Sequence, residues 1–399
     1  MLSKNNDVRD NIVLGYFIIT ILLFSFISTG GYKYGNQLLP DPVVFYIEKN
    51  PIYFHFFLSI SVAVILSILM KFRLRFDIIA FFLLIKIIVI IIPITYIPEY
   101  MNYIGRISYH IIAFIVYLIA LQTKNNKIEA FTKVAIVFSI ILSIQVIFTS
   151  YYNYLNLGID FGNILYKHYM RIPIASSNVI AAYLVPCIFL IAYNSKLSKF
   201  SKAIILPIIF LGVLLTKSDG AIVVFIVTFI LSKVFLSKKG IYIKLFFSFL
   251  ILIAFIIYLV FMRSNIYSIM NGRFEVISNV FKNWEQNILF GNGVIYETTN
   301  IGSFTGGHNI LLDTLNQSGI IGLTVFIMTI FVVFKRIFRY KKEENNGVVF
   351  FIVAFLIHSM GEVNYYNYVG DVLLWFFVGI CINTLYRFNS SLVSSKENL

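Results

Sequence analysis

The residues best suited to chemistry in this 399-residue chain begin with a histidine that stands directly before an apolar run. His308 follows Gly306-Gly307 and precedes Asn309, so it is predicted to lie at the N-terminus of a helix. The partial positive charge of such a terminus disfavours a protonated imidazole and attracts anions. His308 is therefore suited to accept a proton beside a phosphate-bearing substrate, as a general base does.

Two arginines complement this histidine. Arg171 and Arg273 carry guanidinium groups, which bind phosphate oxygens bidentately and stay charged near lipid. They are suited to bind the phosphate groups of a substrate, and the alternative is that they snorkel and pair with lipid phosphates. The outer loops hold no Asp, Glu and His set with metal-ligand spacing, so the predicted chemistry needs no divalent metal.

The chain is too apolar for a water-soluble protein, because 59% of its residues are hydrophobic and 13% are charged. Apolar runs of about twenty residues, the length that crosses a hydrocarbon core, predict about twelve spans. Their approximate limits are residues 11–28, 52–70, 76–97, 107–122, 130–150, 174–193, 201–216, 220–236, 242–262, 317–334, 347–362 and 369–387. The first apolar run, residues 11–28, is predicted to stay in the protein as a membrane anchor rather than to be removed as a signal peptide. We expect an all-α polytopic membrane protein with residues 1–399 as a single membrane domain.

The net charge of +14 comes from basic residues whose distribution indicates membrane topology rather than nucleic-acid binding. Of the 32 Lys and Arg residues, 22 fall in segments on the same side as the N-terminus, and this side is predicted to be cytoplasmic. Both termini are then cytoplasmic. The inner loops are short, whereas the outer segments 151–173 and 263–316 are long, and long loops in compact proteins are often functional. The chemistry is therefore predicted on the extracytoplasmic face.

The larger outer loop, between spans 9 and 10, contains a periodic segment. Apolar residues recur with gaps of three and four over about 274–288, which predicts an amphipathic helix, and Arg273 immediately precedes it. Two placements stay open: a helix at the membrane interface, or a lid packed on the bundle. Outer-loop tyrosines predict an aromatic belt first and a sugar-stacking surface second. His55, His110 and His358 are interpreted as bundle-packing or snorkelling residues.

Three segments occur together in an order typical of one family. In the first segment, His308-Asn309 is followed after nine residues by Gly319-Ile-Ile-Gly322. The second segment begins with Gly272-Arg273-Phe274-Glu275 and continues with Asn287 to Gly291-Asn-Gly293. The third segment consists of Arg171 followed by Ser176-Ser-Asn178. Over residues 165–335 the chain resembles the O-antigen ligase and O-antigen polymerase-like membrane glycosyltransferases. It departs from them at Asp219, where the family commonly has arginine, and at Ile288, which replaces a proline.

The resemblance implies a GT-C-like fold and an enzyme that transfers a glycan from a polyprenyl-pyrophosphate donor to an acceptor hydroxyl. In that reaction Arg171, Arg273 and Lys217 would hold the pyrophosphate, and His308 would be the base or would orient the acceptor. Asn309 and His168 are expected to contact donor or acceptor. The reaction is expected to be metal-independent and to need no cofactor, and a single displacement would invert the anomeric carbon.

The leading function is a polymerase of lipid-linked repeat units of O-antigen or capsule in the inner membrane of a bacterium. We favour it because related enzymes serve many capsule systems and nothing in the chain specifies a lipid A acceptor. One alternative is an O-antigen ligase that transfers finished glycan to lipid A–core, and a second is a polysaccharide flippase. The expected partners are the lipid-linked donor, the glycan acceptor, membrane lipids, and flippase and chain-length regulator proteins, with no nucleic acid.

Overall fold

The fold is known from a computed structural model, which describes residues 2–26, 33–34, 37–38, 51–71, 74–97, 104–123, 128–158, 160–162, 177–236, 273–293, 309–339, 346–361 and 372–383. These residues form the α-helices α1 (Leu2–Phe26), α2 (Pro51–Leu69), α3 (Ile78–Ile91), α4 (Ile104–Leu121), α5 (Ile128–Leu157), α6 (Ser177–Ala192), α7 (Lys199–Leu215), α8 (Asp219–Leu236), α9 (Arg273–Trp284), α10 (Ile310–Arg339), α11 (Asn346–Ser359) and α12 (Val372–Asn383). A 3₁₀ helix, Ile92–Thr95, follows α3. Strands β1 (Lys33–Tyr34) and β2 (Gln37–Leu38) pair antiparallel, with Lys33 opposite Leu38.

Apart from those two short strands, all regular secondary structure in the described part of the chain is helical, which confirms the all-α prediction for these residues. Each predicted span overlaps a helix except residues 242–262, which lie outside the described residues. Three helices are longer than predicted. Helix α1 begins at Leu2, α5 continues to Leu157 and α10 covers Ile310–Arg339.

Three helical segments in the described residues are long and apolar enough to cross a membrane: Glu129–Asn156, Asp219–Leu236 and Ile310–Ile337. Shorter apolar helices accompany them. Large side chains such as Phe57 and Phe148 are about two-thirds exposed, at 66% and 68%. Such exposure is unfavourable in water and ordinary in lipid. The described helices are thus those of a helical membrane protein, and the count of twelve spans stays a prediction.

The centre of the bundle is formed by α6, α11 and α12 together with α1 and α4. Helix α6 is buried from Ile180 to Ile191, and α12 is buried along its whole length. Aromatic rings fill the space between helices: Phe17 stacks on Phe376 with ring centroids 4.1 Å apart, and Tyr117 meets Trp375 edge-on. The elements that carry the predicted site, α9 and α10, lie beside this core, and α10 packs along α3.

Polar contacts join helix ends that the sequence assigns to one face. Asp77 caps α3 by accepting hydrogen bonds from the backbone N–H groups of Ile79 and Ala80, and it forms an ion pair with Arg336 near the end of α10. Nearby, Nη1 of Arg75 donates to Oδ1 of Asn383 at the end of α12, at 2.5 Å. All of these ends are predicted to be cytoplasmic. Their contact agrees with the alternating path of the chain, whereas which face is cytoplasmic stays a prediction.

Candidate functional site

Helix α10 begins immediately after His308-Asn309, and the side chain of Asn309 caps it. Its Oδ1 accepts from the backbone N–H groups of Leu311 at 2.9 Å and Leu312 at 3.3 Å. Its Nδ2 donates to the carbonyl oxygen of Met360, at the end of α11, at 2.8 Å. Asn309 therefore satisfies helix N–H groups that would otherwise lack partners and ties α10 to α11. These contacts give it a positioning role next to His308, which itself lies outside the described residues.

Helix α10 is interrupted at Gly319, whose backbone has φ 61° and ψ −164°. The interruption leaves the N–H groups of Ile320 and Ile321 without helical partners. They donate instead to the carbonyl oxygens of Ile288 at 3.0 Å and Leu289 at 3.2 Å. The turn that follows α9 thus completes the hydrogen bonding of α10, as buried backbone groups require.

Both residues at the closest approach of this turn to α10 are glycines. A Cβ on Gly319 would collide with the carbonyl group of Leu289, and a Cβ on Gly291 would lie 2.5 Å from the backbone nitrogen of Gly319. Gly291 also has φ +72°. Only glycine permits such backbones to touch. This Gly291–Gly319 contact explains physically why the two glycine motifs of the sequence occur together.

Asparagine side chains reinforce the Gly291–Gly319 contact. The backbone N–H of Asn292 donates to the carbonyl oxygen of Asn316 at 2.7 Å, and its Nδ2 donates to the carbonyl oxygen of Asn283 at 2.7 Å and to Oδ1 of Asn316 at 3.0 Å. The hydroxyl of Tyr96 donates to the carbonyl oxygen of Gly291 at 2.6 Å. Sequence reasoning missed Asn292 and Asn316. Two features of the sequence could have indicated them. Asn292 lies between Gly291 and Gly293, and Asn316 lies in the nine-residue spacer before Gly319.

Helix α9 lies in the predicted large outer loop and packs on α10. Val280 is fully buried, whereas Phe281 is 40% exposed. The packing corresponds to the lid placement, and the exposed ring leaves an apolar face for lipid. The helix ends at Trp284 rather than near residue 288, because the next residues turn so that their carbonyl groups reach α10. Arg273 is the first residue of α9, and its side chain lies outside the described residues.

The remaining predicted site residues divide into two groups. His168 and Arg171 lie outside the described residues. Lys217 is described, with φ 52°, in the turn between α7 and α8. Its Nζ donates to the carbonyl oxygen of Phe161 at 2.9 Å and lies 5.3 Å from the centroid of the Phe161 ring. The lysine thus ties this turn to the start of the segment that carries Arg171, an anchoring role that differs from the predicted pyrophosphate contact. Asp219 is the first residue of α8.

A buried polar cluster, Lys86 with His110 and Gln317, supports the first segment of α10 from the side. All three side chains are 5% exposed or less. His110 in α4 lies beside Gln317 in α10, and Lys86 in α3 is close enough for its charge to act on His110. The sequence signal was a lysine inside a predicted span, which usually marks a functional or structural polar contact. His110 is thus more than a packing residue, because it links α4 to α10.

The described residues contain no group of three His, Cys, Asp or Glu side chains placed to hold a metal ion. Metal independence nevertheless stays a prediction, since His168 and His308 are not among these residues. What the described geometry can do is hold two chain segments rigidly together: the helix that begins at Arg273, and the helix terminus that follows His308.

Comparison with known families covers this same region. Residues 203–327 match a family model described as O-antigen ligase. The matched segment includes most of α7, all of α8 and α9, the Gly291–Gly319 contact and the His308-Asn309 motif. It leaves out Arg171, helices α1 to α6, the end of α10, and α11 and α12. The resemblance stated from the motifs is confirmed for this segment, which supports an O-antigen ligase or polymerase-like family. No curated protein matches the chain.

Proposed function

We propose that this protein polymerises polyprenyl-pyrophosphate-linked oligosaccharide repeat units into a surface polysaccharide, O-antigen or capsule, on the extracytoplasmic face of a bacterial inner membrane. The acceptor is a hydroxyl of one repeat unit, and the donor is a glycan carried on the lipid pyrophosphate. The hydroxyl oxygen attacks the anomeric carbon of the donor. The bond from that carbon to the phosphate oxygen breaks, and polyprenyl pyrophosphate leaves.

The chain supplies a residue for each need of this reaction. His308, which directly precedes the capping residue Asn309 in the sequence, takes the proton of the attacking hydroxyl. Arg273 and Arg171 stabilise the charge that develops on the pyrophosphate. In this proposal Asn309 holds the helix terminus, His168 contacts the acceptor, and Lys217 holds the segment leading to Arg171. One direct displacement of this kind inverts the anomeric configuration and uses no metal.

The observation that carries the proposal is the Gly291–Gly319 contact inside the segment that matches the O-antigen ligase model. It links the turn after α9 to α10 through the backbone, so that the helix beginning at Arg273 and the terminus following His308 belong to one rigid unit. Catalysis by positioned charges requires such a unit, because displacements of about 1 Å cost large factors in rate.

The second candidate is an O-antigen ligase, and the match to the O-antigen ligase family model favours it. It would use the same residues with lipid A–core as acceptor. Deletion of the gene followed by analysis of surface glycan separates the candidates. A polymerase deletion leaves a single repeat unit on the acceptor, and a ligase deletion leaves bare core with accumulated lipid-linked polymer. A flippase deletion traps repeat units on the inner leaflet, which would contradict both enzymatic functions.

Once the deletion has identified the reaction, variants of His308 and Arg273 test whether these residues form the site. We expect His308→Ala and Arg273→Ala to restore no polymer in the deletion strain, while the same protein amounts reach the membrane. His358→Ala is a suitable control, because His358 is a buried histidine of α11 outside the matched segment. Wild-type glycan from a stably inserted His308→Ala variant would refute the assignment. NMR of the product linkage tests inversion, and retention would exclude a single displacement.

A further inference from the structure

A cleft of about 300 Å³ opens beside the end of α5, away from the Gly291–Gly319 contact in sequence and in packing partners. Its volume is at the lower end of the range for small-molecule pockets. Among the described residues, its lining consists of Ile147, Ser150, Tyr151, Tyr154, Asp160, Phe161 and Leu215. These residues bring aromatic rings together with hydroxyl groups and a carboxylate.

Two aromatic rings of this cleft are accessible to a ligand, because Tyr151 is 61% exposed and Tyr154 is 59% exposed. Phe161 is 50% exposed, and Nζ of Lys217 lies 5.3 Å from the centroid of its ring. The rim next to Phe161 is fixed, because Nζ of Lys217 bonds to its carbonyl oxygen. The residues of α5 that line the cleft have spacings of three, one and three, so they share one face of the helix. Tyr152 is not among the lining residues and is 37% exposed.

The length of α5 places the cleft at the level of the lipid headgroups. Helix α5 has 30 residues, which makes it about 45 Å long, against about 30 Å for the hydrocarbon core. At its first end Glu129 pairs with Lys133 at 2.9 Å and with Lys196 at 2.7 Å, which marks the water boundary there. About twenty residues beyond Lys133 the helix leaves the hydrocarbon, and Tyr151 and Tyr154 stand at this second boundary.

We propose that this cleft binds a sugar ring of the lipid-linked glycan at the membrane surface. The aromatic faces pack against the C–H face of the ring, while the hydroxyl groups of the sugar donate to the carboxylate of Asp160 and exchange hydrogen bonds with Ser150. A sugar attached to a lipid phosphate lies at headgroup depth, which is the depth of the cleft. This inference rests on the proposed function, since that function supplies the glycan. It adds a binding site on the segment that leads to Arg171.

Photo-crosslinking in the strain that makes the polysaccharide tests whether the cleft binds the glycan of that cell. The probe is p-benzoylphenylalanine at position 154, and the matched control carries it at position 152, at the same depth on the other face of α5. After irradiation the purified protein is assayed for periodate-sensitive glycan and for its monosaccharide content. We expect severalfold more glycan at position 154 than at position 152, because of these two side chains only that of residue 154 lines the cleft. The signal should disappear in a strain that makes no lipid-linked glycan.

Two results would overturn the proposal: equal glycan at both positions, or acyl chains as the sole adduct at position 154, which would make the cleft a lipid groove. Repeating the capture with His308→Ala separates this inference from the proposed function, because binding does not require transfer. Loss of capture alone, with polymer synthesis still dependent on His308, refutes only the sugar site. Capture that persists while His308→Ala makes wild-type polymer refutes only the catalytic proposal.

Discussion

Replacement of Gly319 by alanine should separate α10 from the turn that follows α9. The backbone angles of Gly319, φ 61° and ψ −164°, fall in a region used almost only by glycine. A new Cβ would also collide with the carbonyl group of Leu289. Relief of the collision requires the turn to move away, which breaks the hydrogen bonds from Ile320 to Ile288 and from Ile321 to Leu289.

The expected destabilisation is the sum of strain and lost hydrogen bonds. A residue forced into such a backbone region costs about 1–3 kcal/mol. Two hydrogen bonds contribute about 0.5–1.5 kcal/mol each. The free energy that holds the turn on α10 should fall by about 2–6 kcal/mol, so the equilibrium constant between the closed and the open contact decreases at least about thirtyfold. Polymer synthesis should fall in proportion to the closed population that remains if the contact positions the catalytic residues.

Hydrogen exchange of the purified protein in lipid nanodiscs measures this loss directly. The amides of Asn292, Ile320 and Ile321 should exchange faster in Gly319→Ala, while those of α6 should not change. Gly15→Ala is the matched control, because Gly15 lies inside α1 with nothing within 4 Å of an added Cβ. It should leave exchange and glycan unchanged. Normal polymer and unchanged exchange in Gly319→Ala would refute the proposed coupling.

Three further predictions concern the contacts around the site and the opposite helix ends. Asn309→Ala should lower stability by about 0.5–2 kcal/mol through loss of the cap, and Asn309→Ser, which keeps a capping oxygen, should recover most of it in thermal denaturation. Gln317→Leu should cost about 1–3 kcal/mol, because His110 loses a buried partner, and an unchanged midpoint would contradict that contact. Arg336→Gln should cost about 2–4 kcal/mol, and adding Asp77→Asn should restore part of it, whereas strictly additive losses in the double variant would argue against the ion pair.

The sequence predicted the helices well because hydrophobic length directly reflects the membrane. The turn signal Gly306-Gly307 also predicted a helix N-terminus close to His308, and α10 begins at Ile310. It missed the limits of α9 and α10, since these depend on tertiary contacts: α9 ends so that the carbonyl groups of Ile288 and Leu289 can reach α10. Periodicity carries no information about such backbone contacts, and the glycine motifs became interpretable only when both segments were seen together.

Side-chain roles were the hardest to predict. Lys217 was expected to bind pyrophosphate, which stays a prediction, and its Nζ bonds to the carbonyl oxygen of Phe161, 56 residues earlier in the chain. Asn309 was expected to contact substrate, and its amide caps α10 and holds α11. In both cases the residue type was compatible with substrate or with backbone, and only the fold decides which partner lies within reach.

The central claim is that this protein transfers glycan from a lipid pyrophosphate and that His308, just before the N-terminus of α10, is required for the transfer. The most direct test uses nanodiscs that contain the purified protein and lipid-linked repeat units extracted from the deletion strain. Wild-type protein should produce a ladder of longer lipid-linked glycans and release polyprenyl pyrophosphate. His308→Ala, with an unchanged thermal midpoint, should produce neither. A wild-type ladder from His308→Ala would contradict the claim.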